Sequence, residues 1–387
     1  MKIVVAPDSF KGTFSAQRAA QAMAEGCLKV VPNAQVIVKP MADGGEGSLE
    51  VVLNGTSADS VSMATVDSYG RSISARYGWY GHTAWIELAQ ASGLHFLGSA
   101  PHDPDQRNQM ALRASTWGTG LQWREALARG AHTIFFMIGG SGTTDGGFGL
   151  LAALGAQYRF QGTIVSGQDA RDLSLPVHIE NIDAVRDVLA SATIIVASDV
   201  TNPLCGPHGA AAIYGPQKGL SPEGVRQRDA ELYRFGVALG QAVMAPDALA
   251  MGEEGMGAAG GVAFPLRLLA GDLRLVRGGE LIAESIGLEA AIAQADMVLT
   301  GEGATDAQTL SGKVPMTVLN LCRQYHKPCV IVSGQIGPGS EKLKALGAVW
   351  LEQATPLGAT AQNIEQQGRQ WIAQAAARAL QKFNHGV

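Results

Sequence analysis

Acidic residues sit beside or just before glycine or a turn at five places in this chain, each time after a short apolar run. Asp8-Ser9 follows residues 2–6, and Asp43-Gly44-Gly45-Glu46-Gly47 follows residues 35–39. The run at 133–138 leads into Gly139-Gly140-Ser141-Gly142-Thr143-Thr144-Asp145-Gly146-Gly147. Asp199 follows residues 193–198, and Gly301-Glu302-Gly303 follows 296–300. A single Asp in such a place is most simply a helix N-cap. Five recurrences suggest carboxylates gathered beyond the carboxyl ends of strands, where open α/β sheets bind ligands. Glycine lets backbone N–H groups approach a phosphate, and carboxylates suit Mg²⁺, which prefers oxygen ligands. Phosphoryl transfer needs mainly positioning and charge stabilisation, with a carboxylate near the acceptor hydroxyl as base.

Other residues extend or limit that chemistry. Lys11, Lys218 and Lys313 each neighbour a glycine at an expected loop. A lysine is a compact charge for phosphate or carboxylate, although a solvated side chain is the plainer reading of each. Within 139–147, Asp145 is expected either to hold Mg²⁺ or to cap the following helix, and Gly139, Gly140, Ser141 and Thr143 to line a phosphate. Gly255-Met256-Gly257-Ala258-Ala259-Gly260 matches GxGxxG, but no buried strand pattern precedes it, so a nicotinamide cofactor is not supported. A second anion-binding turn at Gly257, Gly260 and Gly261 is the remaining reading. The eight histidines show no zinc-binding spacing, and neither a P-loop nor G-x-S-x-G occurs. Trp117 and Trp123 read as core rather than ligand platform.

The elements that must position these residues alternate. Apolar runs at 2–6, 35–39, 133–138, 193–198, 296–300 and 328–333 read as buried strands. Helical patterns cover about 15–30, with Ser15 as N-cap, then 222–244, 312–325 and 360–383. This is an α/β pattern with parallel sheets. Residues 59–88 differ, reading as short strands with hairpin turns, a change of domain or an antiparallel edge. The 387 residues suffice for one large or two medium domains. Their 49 glycines exceed the roughly 27 of average usage and call for tight turns or close backbone approaches. A hydrophobic share of 46% excludes disorder, and the absence of a G-X-Y period excludes collagen. Net charge −5 without a basic run disfavours nucleic acid, and no apolar stretch has the length of a membrane span. Pro7 and Asp8 end the signal-like start after a few residues, and the four cysteines lack CxxC spacing. A cytoplasmic enzyme with reduced cysteines is the expectation.

In order along the chain, several blocks resemble the bacterial glycerate kinases that act on D-glycerate. They are Ala6-Pro7-Asp8-Ser9-Phe10-Lys11-Gly12, residues 40–47, the glycine-rich 139–147, residues 199–206 through 215–219, residues 257–261, and Thr300-Gly301-Glu302-Gly303. The resemblance implies ATP-dependent, Mg²⁺-assisted phosphorylation of the 2-hydroxyl of D-glycerate. It implies two α/β domains: a Rossmann- or flavodoxin-like parallel domain, 1–85 plus 290–387, with a second, 86–289, inserted into it. The active site would lie in the inter-domain cleft. Asp199, Asp43 and Lys11 are then the catalytic candidates, and Asp145 and Asp199 the metal candidates. Ser9, Asn202, Glu302, Lys218, Lys313 and Asp306 would bind the acceptor. The backbone of 139–147 and of 257–261 would cradle ATP. The partner is a small hydroxy acid, with neither nucleic acid nor membrane, and a homodimer is the candidate assembly.

One departure bears on the acceptor. The family pattern Gly-Glu-Gly-Arg-x-Asp here reads Gly301-Glu302-Gly303-Ala304-Thr305-Asp306. Ala304 removes a guanidinium able to grip a carboxylate or phosphate through two parallel hydrogen bonds. Either that arginine is dispensable or the acceptor is a related short hydroxy acid. A non-catalytic sensor on the same scaffold is the reading outside catalysis, and a dehydrogenase or CoA-handling α/β protein the competing enzyme class.

Overall fold

The computed structural model describes residues 1–10, 12–98, 103–244 and 250–384. The chain forms two compact units: Met1–Ser57 with Arg277–Val387, called unit 1, and Ala58–Val276, called unit 2. Strands in chain order are β1 (Lys2–Val5), β2 (Gln35–Val38), β3 (Asp59–Val66), β4 (Ser72–Tyr80), β5 (Thr83–Glu87), β6 (Thr133–Met137), β7 (Gln157–Phe160) and β8 (Thr163–Val165). They continue with β9 (His178–Glu180), β10 (Thr193–Ala197), β11 (Asp272–Val276), β12 (Met297–Thr300), β13 (Ala304–Thr305), β14 (Cys329–Ser333), β15 (Gln335–Ile336) and β16 (Ala348–Gln353).

Unit 1 is built on a five-stranded sheet of order β16-β14-β12-β1-β2, parallel throughout. Helices cover both faces of such a sheet, so its central strands are apolar without alternation. β12 and β14 are buried at every residue. One face packs on helices Ala16–Val30 and Ala361–Asn384 through Ala19, Ala20, Met23, Ala375, Ala376 and Leu380. These helices touch so closely that a Cβ on Gly26 would lie 2.0 Å from the carbonyl oxygen of Ala373. Ser15 caps the first helix, its hydroxyl accepting from the amide of Arg18 at 3.3 Å. From β1 the chain crosses to β2 on one side, whereas β12, β14 and β16 step away on the other. The crossover direction therefore reverses between β1 and β12, the point at which open sheets place their ligands.

Unit 2 carries a six-stranded sheet of order β11-β10-β6-β5-β4-β3. β5, β6, β10 and β11 are parallel, and β4 and β3 form an antiparallel edge. The sequence places domain breaks near 85 and 290, whereas the units part at Ser57/Ala58 and Val276/Arg277. Strand pairing explains the first difference: β5 lies in parallel register with β6, Thr83 opposite Thr133, and carries β4 and β3 with it. The second follows from helix Gly278–Ser285, which packs on helix Ser48–Gly55. Trp123 is fully buried, edge-on to Phe136 at 5.0 Å between ring centres. Cys27, Cys205, Cys322 and Cys329 are all unpaired thiols. Among the described residues no helix is long and apolar enough to cross a membrane.

Candidate active site

Three of the acidic segments share one edge of the unit 1 sheet. Asp8 and Ser9 follow β1, Asp43 lies beyond β2, and Glu302 follows β12. Backbone bonds tie these strand ends together: the Asp8 amide donates to the Gly301 carbonyl at 2.8 Å, and the Met41 amide to the Pro7 carbonyl at 2.8 Å. Thr300 Oγ1 donates to the Ala6 carbonyl at 2.7 Å. Asp8 is buried, and its Oδ1 accepts from the Ser9 amide at 2.6 Å. Asp43 Oδ1 accepts from the Gly45 amide at 3.1 Å. Its backbone is pinned by the start of helix Gly278–Ser285, since a Cβ on Gly278 would meet the Asp43 carbonyl oxygen at 1.9 Å. Lys11 lies outside the described residues. Lys313 is half-buried at the N-cap of helix Val314–Gln324. Asp306 caps the short helix Ala307–Ser311, its Oδ1 accepting from the Gln308 amide at 2.8 Å.

Glu302 is buried and held by hydroxyls. Its Oε1 accepts from Thr309 Oγ1 at 2.6 Å and from Thr305 Oγ1 at 3.1 Å. Thr305 Oγ1 also meets Ser333 Oγ at 2.6 Å, and Thr309 Oγ1 accepts from the Asp306 amide at 3.2 Å. Burial pushes the Glu302 carboxyl above its ordinary range, with the two threonine hydroxyls and the charge of Lys313 acting against it. Thr309 belongs to Gln308-Thr309, a pair that follows the acidic motif as in the family pattern, whereas Thr305 and Ser333 carry no signal in the sequence, because their contact is a tertiary one.

In unit 2 the glycine-rich loop leaves β6 and Asp199 leaves the neighbouring β10, so both lie on one sheet edge. Asp199 is exposed. The loop is anchored on itself and on its surroundings. Gly142 donates to the Ser92 carbonyl at 2.8 Å, Gly146 to the Gly260 carbonyl at 2.9 Å, and Leu94 to the Gly140 carbonyl at 2.8 Å. Gly140, Gly146 and Gly147 adopt positive φ. Lys218 is almost wholly buried, 2% exposed, and its Nζ donates to Ser141 Oγ at 2.8 Å and to the Thr143 carbonyl at 2.6 Å. Burial brings its pKa down to about 7, with the charge of Asp145 acting in the other direction. Lys218 thus acts on the loop rather than standing free to grip the acceptor.

Two other candidate residues use their side chains within the protein. Asp145 is fully buried. Its Oδ2 accepts from the Thr116 amide and hydroxyl, each at 2.8 Å, and from the Gly149 amide at 3.1 Å, while Oδ1 accepts from the Gly147 amide at 3.2 Å. With four donors around it, among them the amides of Gly147 and Gly149 at the start of helix Phe148–Leu154, this carboxylate takes the capping alternative of its two expected roles and clasps the loop, its oxygens occupied by the protein's own donors. Asn202, expected to orient the acceptor, uses both ends of its amide inside unit 2. Nδ2 donates to the His208 carbonyl at 2.8 Å, and Oδ1 accepts from the Tyr214 hydroxyl at 2.9 Å.

The glycines at 257–261 serve contacts between loops. A Cβ on Gly257 would lie 2.2 Å from the Pro203 carbonyl oxygen, and one on Gly261 would lie 2.5 Å from Leu204. At Gly260, φ is +78° and a Cβ would fall 2.1 Å from the Thr143 carbonyl oxygen. Gly260→Ala therefore meets left-handed strain and a backbone clash together, and should cost about 3 kcal/mol or more in urea unfolding. A loss below about 1 kcal/mol would show that the two loops part readily.

The comparisons extend along the whole chain. The model of the Glycerate kinase family matches residues 3–384. The chain belongs to the glycerate kinase family. The Glycerate 2-kinase of Escherichia coli is 36% identical over 338 residues, covering 87% of this chain and 86% of that protein. A Glycerate kinase of Halalkalibacterium halodurans is 34% identical over 381 residues, covering 97% and 96% of the two chains. A crystal structure described as glycerate kinase 2 from Salmonella typhimurium LT2 superposes with a TM-score of 0.84 at 35% identity, covering 100% of this chain and 99% of that one. For a glycerate kinase the departure at Ala304 now has a place: it is exposed on β13, which pairs with β15, Ala304 opposite Gln335.

Proposed function

We propose that this glycerate kinase transfers the γ-phosphoryl group of ATP to the 2-hydroxyl of D-glycerate, giving 2-phosphoglycerate and ADP. The observation that carries the reading is the family match over residues 3–384, together with a relative named Glycerate 2-kinase that covers most of the chain. In unit 1, Ser9, Asp43, Glu302, Asp306, Lys313 and Lys11 would bind and orient the acceptor. In unit 2, the backbone of Gly139, Gly140, Ser141 and Thr143 would receive phosphate oxygens, with Lys218 setting the loop. Asp199 is the candidate base or metal ligand, and Asp43 the second candidate for either. Mg²⁺ typically uses one or two carboxylates beside substrate phosphates and water, and Asp199 and Asp43 are the carboxylates that would serve. When bound, the ion would neutralise charge on the transferring phosphoryl group. A cytoplasmic location and a homodimer complete the proposal.

ADP release in a coupled assay with D-glycerate tests the reaction, and phosphorus NMR of the product reports which hydroxyl is phosphorylated. Asp199→Asn should lower turnover at least about 100-fold if Asp199 is the base or a metal ligand. Near-wild-type turnover would remove it from both roles. Ala304 supports a second reading, a related short hydroxy acid as acceptor. A panel of three- and four-carbon hydroxy acids decides between them by the largest kcat/KM. Binding of ATP and D-glycerate without turnover of any of these acids would favour a sensor.

A further inference from the structure

The hydroxyls around Glu302 have a fixed direction. A hydroxyl carries one proton to donate. Thr305 Oγ1 donates that proton to Glu302 Oε1, so in its contact with Ser333 Oγ at 2.6 Å it must accept. Thr309 Oγ1 donates to the same Oε1 and accepts from the Asp306 amide. Two chains of donors, Ser333 to Thr305 and Asp306 N–H to Thr309, thus converge on one carboxylate oxygen. Bonds in such a chain polarise one another in a low-dielectric setting. Oε2 has no partner among the described residues, yet it is not among the buried polar atoms left without one. The small exposure of Glu302, 6%, leaves room for that oxygen to meet solvent at the carboxyl edge of the sheet.

We propose that Ser333, Thr305 and Thr309 are positioning residues that hold Glu302 as an acceptor-only carboxylate, Oε1 occupied and Oε2 presented to a hydroxyl of the bound acid. The inference rests on the proposed kinase reading only for the identity of that acid. The relay works against burial, which favours the protonated carboxyl; Lys313 acts with the relay and Asp306 against it. A protonated Glu302 would offer Oε2–H as a donor or lose one of its two hydroxyl bonds, and the recognition of an acceptor hydroxyl would weaken.

The test uses Thr309→Val, Thr305→Val and Ser333→Ala in the full chain, with Thr309→Ser as the conservative control. Each of the two valine variants should lower kcat/KM for D-glycerate by about 10–100-fold, the fold-change that losing a hydrogen bond to a charged group corresponds to. The acidic limb of the pH profile should move to higher pH, because a donor to the charged form has gone. Ser333→Ala should move the same limb by less, and Thr309→Ser should restore it. A merely structural role would lower activity evenly across pH. Glu302→Gln separates the failures. If wild type turns over D-glycerate and Glu302→Gln is impaired, but Thr305→Val and Thr309→Val match wild type, the positioning inference is overturned and the kinase reading stands. If Glu302→Gln itself matches wild type, Glu302 does not read the acceptor and the inference also fails. A readout independent of turnover is the carbon NMR titration of the Glu302 carboxyl, assigned by Glu302→Gln. Its pKa should rise in the variant carrying both Thr305→Val and Thr309→Val, and an unchanged value would overturn the relay even if another acid proved to be the acceptor.

Discussion

Replacing Asp145 with alanine is expected to lower the unfolding free energy by about 3–5 kcal/mol, the loss typical when one side of a buried charge arrangement is removed. The carboxylate is fully buried and receives the Thr116 amide, the Thr116 hydroxyl, and the amides of Gly147 and Gly149. Alanine leaves three backbone donors in a dry interior, each unmet donor costing about 1–3 kcal/mol, though not additively. It also removes the negative charge felt by two buried cations, Lys218 and Arg228. Asp145→Asn keeps the shape but turns an N–H donor toward other donors, so it should recover only part of the loss. Urea unfolding followed by tryptophan fluorescence suits the measurement, since Trp79, Trp85, Trp117 and Trp123 all belong to unit 2. A loss below about 1 kcal/mol would mean that water reaches the clasp and solvates the orphaned amides.

The parallel strands were legible because burial on both faces leaves a continuous apolar run. Thr193–Ala197, Met297–Thr300 and Cys329–Ser333 fall within a residue of where the sequence puts them. Helix Ala16–Val30 was legible through its cap at Ser15. The antiparallel edge of β3 and β4 showed as a change of pattern, but not which sheet it would join. That depends on β5 pairing with β6 nearly 50 residues further on. The small sheet of β7, β8 and β9 leaves no clear mark in the sequence: its strands are three or four residues long, with mixed exposure that gives no clear period.

At the site, sequence located the acids but not their surroundings. Glycine beside a carboxylate reads the same whether the carboxylate faces a ligand or the protein's own amides. At Asp145 the deciding partner is Thr116, 29 residues earlier, just before helix Trp117–Ala128. The glycine excess is similarly divided. Gly257 and Gly260 are bare because Pro203 and Thr143 lie against them, and Gly278 because Asp43 does. Backbone freed for phosphate is therefore confined to a shorter stretch than glycine counting suggested, and the amides of Gly142, Gly146 and Gly147 are engaged within the protein.

Lys218→Met should separate stability from activity. Lysine usually lies in solvent, yet Lys218 is buried with no carboxylate in ion-pair contact among the described residues, and its pKa falls to about 7. In the unfolded chain the same group titrates near its ordinary value of about 10.4. Between these values the unfolded state holds the proton and the folded state does not. Wild-type stability must therefore climb as pH rises from about 7 to about 10, with the full penalty standing below 7, a span on the order of 5 kcal/mol. Methionine fills similar space without charge, so the variant should lose this slope. At pH 6 it should equal or exceed wild type, offset in part by the unmet Thr143 carbonyl. Turnover should nevertheless fall by about 100-fold, because Ser141 and Thr143 lose the group that fixes them where phosphate charge must be met. A slope unchanged in Lys218→Met would show that Lys218 is hydrated in solution. Full activity with the slope removed would show that the loop holds its shape without the lysine. The expected outcome, a steadier protein and a poorer enzyme, would make Lys218 a case where the cost of burying an amine is kept for the loop that the amine holds.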